Sequence, residues 1–207
     1  MILPRLHLIT DDRIALRDDF IETAATVARS GALALHLRAS ELGGRRLLAL
    51  ARQLRDALKD TRTLLFINDR VDLALAVGAH GVHLPERGMP LDAARSLLSA
   101  GTFLGRSAHS AEDARAAFAQ GADYVFLGPI FETASHPGRS PLGLEAIRGS
   151  LPGRVIAIGG ITPERAAQCI RAGAYGVAVI RAVWEAEDPG AAAEAILLSL
   201  ESVEDDD

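Results

Sequence analysis

The chain contains one cysteine, Cys169, in 207 residues, so no internal disulfide can staple it and no Cys-x-x-Cys pair offers a metal or redox site. Cys169 sits in an alanine-rich stretch ahead of Ala172, the setting of a buried, inert thiol. There is no run of 18 apolar residues, which excludes a membrane-spanning helix of ordinary length. The opening MILPRLHLITDD reaches two acids by position 12 and has no basic lead segment, so no secretory signal is expected. The expected location is the cytoplasm.

An excess of positive charge is missing too. The chain has 22 Lys and Arg against 27 Asp and Glu, and five of those acids (Glu201, Glu204, Asp205, Asp206 and Asp207) fall in the last seven residues. The first 200 residues therefore balance at 22 of each sign, which gives no general reason to bind nucleic acid or an anionic membrane. The expected division is one domain over residues 1–200 and an acidic, flexible tail over 201–207.

What is present is a repeat. Short apolar runs recur at Leu6–Ile9, Leu33–Leu37, Leu64–Ile67, Gly81–Leu84, Phe103–Gly105, Tyr124–Leu127, Val155–Ile158 and Gly176–Val179. Each has the length of a strand. Between them lie helix-forming stretches at Phe20–Arg29, Arg46–Leu58, Asp72–Val77, Pro90–Leu98, Ala111–Ala119, Leu142–Arg148, Pro163–Ala172 and Ala191–Leu200. Pro90 and Pro163 suit a first helical turn, Ser110 with Asp113 resembles a cap, and glycines such as Gly78, Gly101, Gly121 and Gly173 punctuate the exits. Eight unbroken apolar strands alternating with eight helices predict an α/β protein, a single-domain (β/α)8 TIM barrel. The rival is an open doubly wound sheet, but no strand is followed by the Gly-x-Gly-x-x-Gly turn that such a sheet uses to cradle a dinucleotide.

Chemistry in such a barrel sits at the C-terminal ends of the strands. Gly159-Gly160-Ile161-Thr162-Pro163 is the sharpest signal there, because paired glycines and a following helix N-terminus present N–H groups to an anion. The backbone near Val179 and Ile180 would complete a phosphate cradle; the plain alternative is a tight turn. His109, just past strand 5, has the pKa range for proton transfer or else fixes its loop. Asn68 and Asp69 could orient a ligand or hold a divalent ion, or Asp69 could simply bond Arg70 and loop N–H groups. Arg38 is a candidate anion clamp or a surface ion pair. His36, His83, Glu86, Arg87, Arg106, Ser107, Glu132, Thr133 and His136 also fall around the strand ends, whereas His7 reads as core and His80 precedes strand 4, at the wrong end for chemistry.

Several of these pieces together resemble the thiamine-phosphate synthase and thiazole tautomerase superfamily. They are Leu8-Ile9-Thr10-Asp11, His36-Leu37-Arg38, Ile67-Asn68-Asp69-Arg70-Val71-Asp72, Gly81-Val82-His83-Leu84, Gly105-Arg106-Ser107-Ala108-His109-Ser110, Gly128-Pro129-Ile130-Phe131-Glu132-Thr133 and Ala157-Ile158-Gly159-Gly160-Ile161. The synthase pattern implies magnesium and basic residues around a departing diphosphate. Here the chain departs from it: His36 stands for a glutamine, Ser40 and His136 for lysines, and Gly88 for a second magnesium-binding aspartate.

Those departures, with the Gly-Arg-Ser-x-His-Ser and Phe131-Glu132-Thr133 contexts, make the tautomerase (TenI-like) branch the closer resemblance, although retained Asp69 belongs to the synthase pattern. The implied function is an isomerase that aromatises a carboxythiazole phosphate, with His109 moving the proton. Arg38, Asn68, Ser107, Thr133, His136, Gly159, Gly160, Val179 and Ile180 would bind this phosphorylated thiazole without cofactor or metal. The alternatives are a thiamine-phosphate synthase, with Mg2+ at Asp69, and a non-catalytic phosphate-binding paralogue. The resemblance also implies a homodimer, for which Trp184 is a candidate apolar contact if it does not pack under the last helix.

Overall fold

The computed structural model describes residues 1–133, 138, 140–148 and 151–203. Eight strands form a closed parallel barrel in sequence order: β1 (Leu6–Ile9), β2 (Leu33–Leu37), β3 (Leu64–Asn68), β4 (Gly81–Leu84), β5 (Phe103–Ala108), β6 (Tyr124–Leu127), β7 (Arg154–Ile158) and β8 (Gly176–Val179). Closure is made by β8 against β1, with Leu6 opposite Val177 and Leu8 opposite Val179. The chain is an α/β protein, a (β/α)8 TIM barrel.

Around the barrel run α1 (Asp12–Ala15), α2 (Phe20–Ala28), α3 (Gly44–Leu58), α4 (Val71–Val77), α5 (Leu91–Leu97), α6 (Ala111–Ala119), α7 (Glu145–Arg148), α8 (Pro163–Arg171), α9 (Arg181–Trp184) and α10 (Pro189–Glu201). The expected caps form: Ser110 Oγ accepts from the Asp113 N–H and Thr162 Oγ1 from the Arg165 N–H, which satisfies helix-end donors that otherwise lack partners. Gly78 closes α4 at φ 63°, a left-handed position that favours glycine.

Apart from shifts of one to three residues at several element ends, five details differ from the expectation. Strand β5 continues to Ala108, so Arg106 and Ser107 lie in the strand and not in the loop after it. Pro90 is the cap before α5, because its extended ψ of 139° puts it outside the helix. Two single-turn helices, α1 and α9, are too short to show a period and stand outside the expected helical stretches. The last helix spans Pro189–Glu201, taking in the first residue assigned to the tail, while residues 204–207 lie outside the described residues. Trp184 is 1% exposed, packs against Phe20 and donates its indole N–H to the Ile9 carbonyl at 2.9 Å. It offers no apolar surface to a second copy.

Strand alternation divides the core in two. Leu6, Leu8, Leu33, Leu35 and their counterparts face the helices, whereas Ile9, Ala34, Phe66, Tyr124, Phe126, Ile156 and Ala178 fill the barrel. Three histidines share that interior: His7 and His36 are 0% exposed and His83 is 2% exposed. His36 stacks on Phe66 at 4.6 Å and His83 on Phe126 at 4.0 Å between ring centres. Gly105 makes room for this packing, since a Cβ there would lie 2.1 Å from the Tyr124 ring. Among the described residues no helix is long and apolar enough to cross a membrane.

Candidate active site

The C-terminal ends of the strands surround a cavity of about 1010 Å³. It is lined by Arg38, Asn68, Asp69, Ser107, His109, Thr133, Gly159, Gly160, Val179 and Ile180, which the sequence nominated, and by Arg13, Arg70, Glu86, Arg87 and Arg181. His136, also nominated, lies outside the described residues.

Backbone geometry sets several of these groups. Asp69 is held at φ 63°, and its N–H donates to the His83 carbonyl at 2.9 Å, so β4 fixes where this carboxylate leaves β3. Left-handed geometry in a residue other than glycine costs free energy and clusters at functional sites. The Asp69 charge acts on both Arg70 and Arg106. Gly159 and Gly160 stand at φ 99° and 65°, and a Cβ on Gly160 would lie 2.4 Å from the Glu132 carbonyl oxygen. The Gly159 carbonyl accepts from the Phe131 N–H and the Gly160 carbonyl from the Arg165 guanidinium, and both glycines line the cavity.

His109 donates Nδ1–H to the Gly128 carbonyl at 2.7 Å, since a carbonyl can only accept. That leaves Nε2 facing Glu86 Oε2 at 3.6 Å.

Two nominated residues stand elsewhere. His36 points into the barrel, where its Nε2 meets His7 Nδ1 at 2.8 Å; burial, reinforced by His7 and His83, pushes its pKa well down. It is a core group, not a mouth group. Arg106 is 8% exposed and donates to the carbonyls of Pro85, Glu86 and Met89 at 2.8, 3.0 and 2.6 Å. It ties down the loop after β4, and burial lowers its pKa despite the opposing charge of Asp69.

Positive charge at the mouth is carried by arginine. Only Lys59 of the 22 basic residues is a lysine, yet five guanidinium groups (Arg13, Arg38, Arg70, Arg87 and Arg181) line the cavity against three carboxylates, Asp11, Asp69 and Glu86. Arg70 pairs with Asp72, which raises its pKa, and Arg13 pairs with Glu185. Both pairs are exposed, so the guanidinium groups can exchange onto an anionic ligand at little cost. No sequence pattern marks a role for Arg13 itself. The signal was Asp11, whose carboxylate caps α1 by accepting from the Ile14 N–H and so starts the turn that carries Arg13. Ser40, which stands for an expected lysine, instead donates to Asp12; burial would raise the Asp12 pKa, but bonds from Glu41 and Ser40 and the Arg38 charge hold it below the usual range.

Residues 6–183 match the family model described as "Thiamine monophosphate synthase". A thiamine-phosphate synthase of Moorella thermoacetica is 42% identical over 91% of this chain and 91% of that protein. One from Methanoculleus marisnigri is 40% identical over 92% of each. The solved thiamine phosphate pyrophosphorylase of Pyrococcus furiosus is 34% identical, covers 96% of both chains and superposes with a TM-score of 0.85. These relatives are named as thiamine-phosphate synthases and a thiamine phosphate pyrophosphorylase, and they overturn the expectation of an isomerase. The charge geometry shows why the sequence misled: two absent lysines were read as an absent cationic site, but arginines from α1, α9 and the loops after β2, β3 and β4 supply the charge. The proton-transfer role given to His109 served the isomerase reading and goes with it.

Proposed function

The chain belongs to the thiamine monophosphate synthase family, and we propose that it joins a hydroxymethylpyrimidine diphosphate to a thiazole phosphate, giving thiamine phosphate and diphosphate. The observation that carries this reading is the group of five guanidinium groups that outnumber three carboxylates, Asp69 among them, at a cavity of about 1010 Å³. In the reaction the thiazole nitrogen lone pair forms the new C–N bond to the pyrimidine methylene. The C–O bond to diphosphate breaks, and its electron pair leaves with the oxygen. No proton has to be taken from carbon.

The demand on the protein is therefore electrostatic: negative charge grows on the departing diphosphate, and preorganised cations aimed at it lower the barrier. Arg38 and Arg87 stand after β2 and β4, on either side of the β3 end that carries Asp69, for this task, and guanidinium forks match phosphate oxygens in pairs. The thiazole phosphate is assigned to the Gly159–Gly160 corner with Val179 and Ile180 beside it, on the opposite side of the barrel axis from β3 and β4. His109 and Ser107 face the space between the two and are assigned to binding.

Magnesium fits this site as a partner of phosphate. Among the described residues no three His, Cys, Asp or Glu side chains cluster as a closed metal cage, but a magnesium ion on phosphate oxygens needs only one or two carboxylates. Asp69 would hold it. The ion would supply further neutralisation of the leaving group.

The test is direct: purified protein is given both substrates with magnesium, and diphosphate release is followed. Turnover that requires all three is expected, and Asp69→Asn should lower kcat by about 100-fold or more, the usual scale for one electrostatic group at a developing charge. Absence of diphosphate release from the parent protein under these conditions would overturn the proposal.

A further inference from the structure

Two hydrogen-bonded chains run through the barrel interior and end at the cavity. In the first, His7 Nε2 lies 3.0 Å from the Pro4 carbonyl, His7 Nδ1 lies 2.8 Å from His36 Nε2, and His36 Nδ1 lies 3.3 Å from Asn68 Oδ1, whose place the amide nitrogen takes when that group is turned over. In the second, His83 Nδ1 lies 3.2 Å from the Tyr124 hydroxyl and His83 Nε2 lies 2.9 Å from Ser107 Oγ. Asn68 and Ser107 both line the cavity.

Counting protons decides the direction of each chain. The Pro4 carbonyl only accepts, so His7 carries its proton on Nε2. With one proton per neutral ring, His7 Nδ1 is a lone pair, and His36 must donate to it from Nε2. His36 Nδ1 is then a lone pair as well, and only an N–H can face it. If Asn68 turned its oxygen to His36, the two imidazoles would need three protons between them, a positive charge in a fully buried space. Burial instead lowers the His7 pKa to about 3 and the His36 pKa well below its ordinary value. The Asn68 amide nitrogen therefore faces His36, which sends the oxygen to the other side.

The second chain resolves in the same way. Burial, with the Asp123 charge adding to it, pushes the Tyr124 pKa well up, so its hydroxyl keeps its proton. That buried O–H has the His83 ring as its hydrogen-bond partner, and among the described residues no buried side-chain polar atom lacks a partner. Tyr124 donates to His83 Nδ1, His83 Nε2–H donates to Ser107 Oγ, and the Ser107 hydrogen is left for the cavity.

We infer that these buried histidines set the hydrogen-bond polarity of the cavity floor, with the Asn68 carbonyl oxygen and the Ser107 hydroxyl hydrogen presented to the ligand. The floor takes a ligand edge that offers an N–H or O–H to Asn68 and a lone pair to Ser107. An edge with a lone pair at both places is refused by Asn68. His7 and His36 are positioning residues, acting through Asn68, and the inference holds whatever reaction the cavity supports.

The experiment is nitrogen NMR of the ¹⁵N-labelled full chain at neutral pH. All three rings are expected as the Nε2–H tautomer with Nδ1 unprotonated, and couplings across hydrogen bonds should join His36 Nε2 to His7 Nδ1 and Asn68 Nδ2 to His36 Nδ1. In Asn68→Asp the carboxylate can only accept, so the His36 Nδ1 resonance should move into the protonated range while His83 stays unchanged. A parent His36 or His83 protonated on Nδ1 would overturn the inference. So would an Asn68→Asp variant whose His36 resonances do not move, since that result removes Asn68 from the chain.

Discussion

Arg106 offers the sharpest test of how the cavity mouth is built. Its guanidinium holds the carbonyls of Pro85, Glu86 and Met89, and the same short loop carries Glu86 and Arg87 to the cavity. A hydrogen bond from a charged donor contributes about 1.5–3 kcal/mol, so three give a gross of roughly 4.5–9 kcal/mol. Two effects reduce it: the guanidinium regains water on unfolding, and Pro85, Glu86 and Met89 are exposed enough for water to take over their carbonyls. The net cost of Arg106→Met, which keeps most of the aliphatic stem, is then about 2–4 kcal/mol. For a chain of this length each kcal/mol moves Tm by about 2–4 °C, so a fall of roughly 4–16 °C is expected in a thermal melt followed by circular dichroism. Arg87→Met, on the same loop but exposed, should stay within about 0.5 kcal/mol of the parent. A fall of less than about 2 °C for Arg106→Met would refute the assignment of Arg106 as the anchor of this loop.

Three further outcomes follow from burial and backbone geometry. The folded pKa values of His7, His36 and His83 lie below the unfolded value near 6.5, so the unfolded chain binds more protons as pH falls below it; stability should drop between pH 6.5 and 5, by up to about 1.4 kcal/mol per pH unit for each ring, and urea midpoints at stepped pH would show it. A flat profile across that window would mean that the rings do not stay neutral. Gly160→Ala places a methyl group against the Glu132 carbonyl at a left-handed position, so it should cost about 1–3 kcal/mol and weaken thiazole phosphate binding by about tenfold or more in calorimetry. Burial pushes the Cys169 thiol up to about 12, so it should resist an aromatic disulfide reagent at pH 8 in the native protein and react fully in urea.

The barrel was legible because the strands are largely buried on both faces and so read as short, mostly apolar runs, while several helix exits are marked by glycine. Strand β5 was drawn short because Arg106 and Ser107 look like mouth residues. The buried guanidinium instead satisfies three carbonyls and the hydroxyl meets His83, so both stay within the ladder. The phosphate corner and His109 were placed at the cavity because strand ends converge there whatever the chemistry. The cationic character was not legible, since it depends on arginines from five separated segments and no local pattern records that they meet. Likewise His36 and Arg38, two positions apart, read alike as mouth residues, but His36 lies within β2 and is buried in the barrel, whereas Arg38 comes after the strand end and lines the cavity.

Gly105 and Tyr124 occupy one space between them, with the ring of one where the side chain of the other would begin. Neither position can drift by itself: a larger residue at 105 has to be answered by a smaller one at 124, and a truncated 124 leaves a hollow that 105 alone cannot fill without changing size. A library randomised at both sites should yield folded clones almost wholly as matched combinations. Because the Tyr124 hydroxyl also anchors His83, which lines the cavity, such exchanges would alter the cavity floor from beneath although neither exchanged residue lines it.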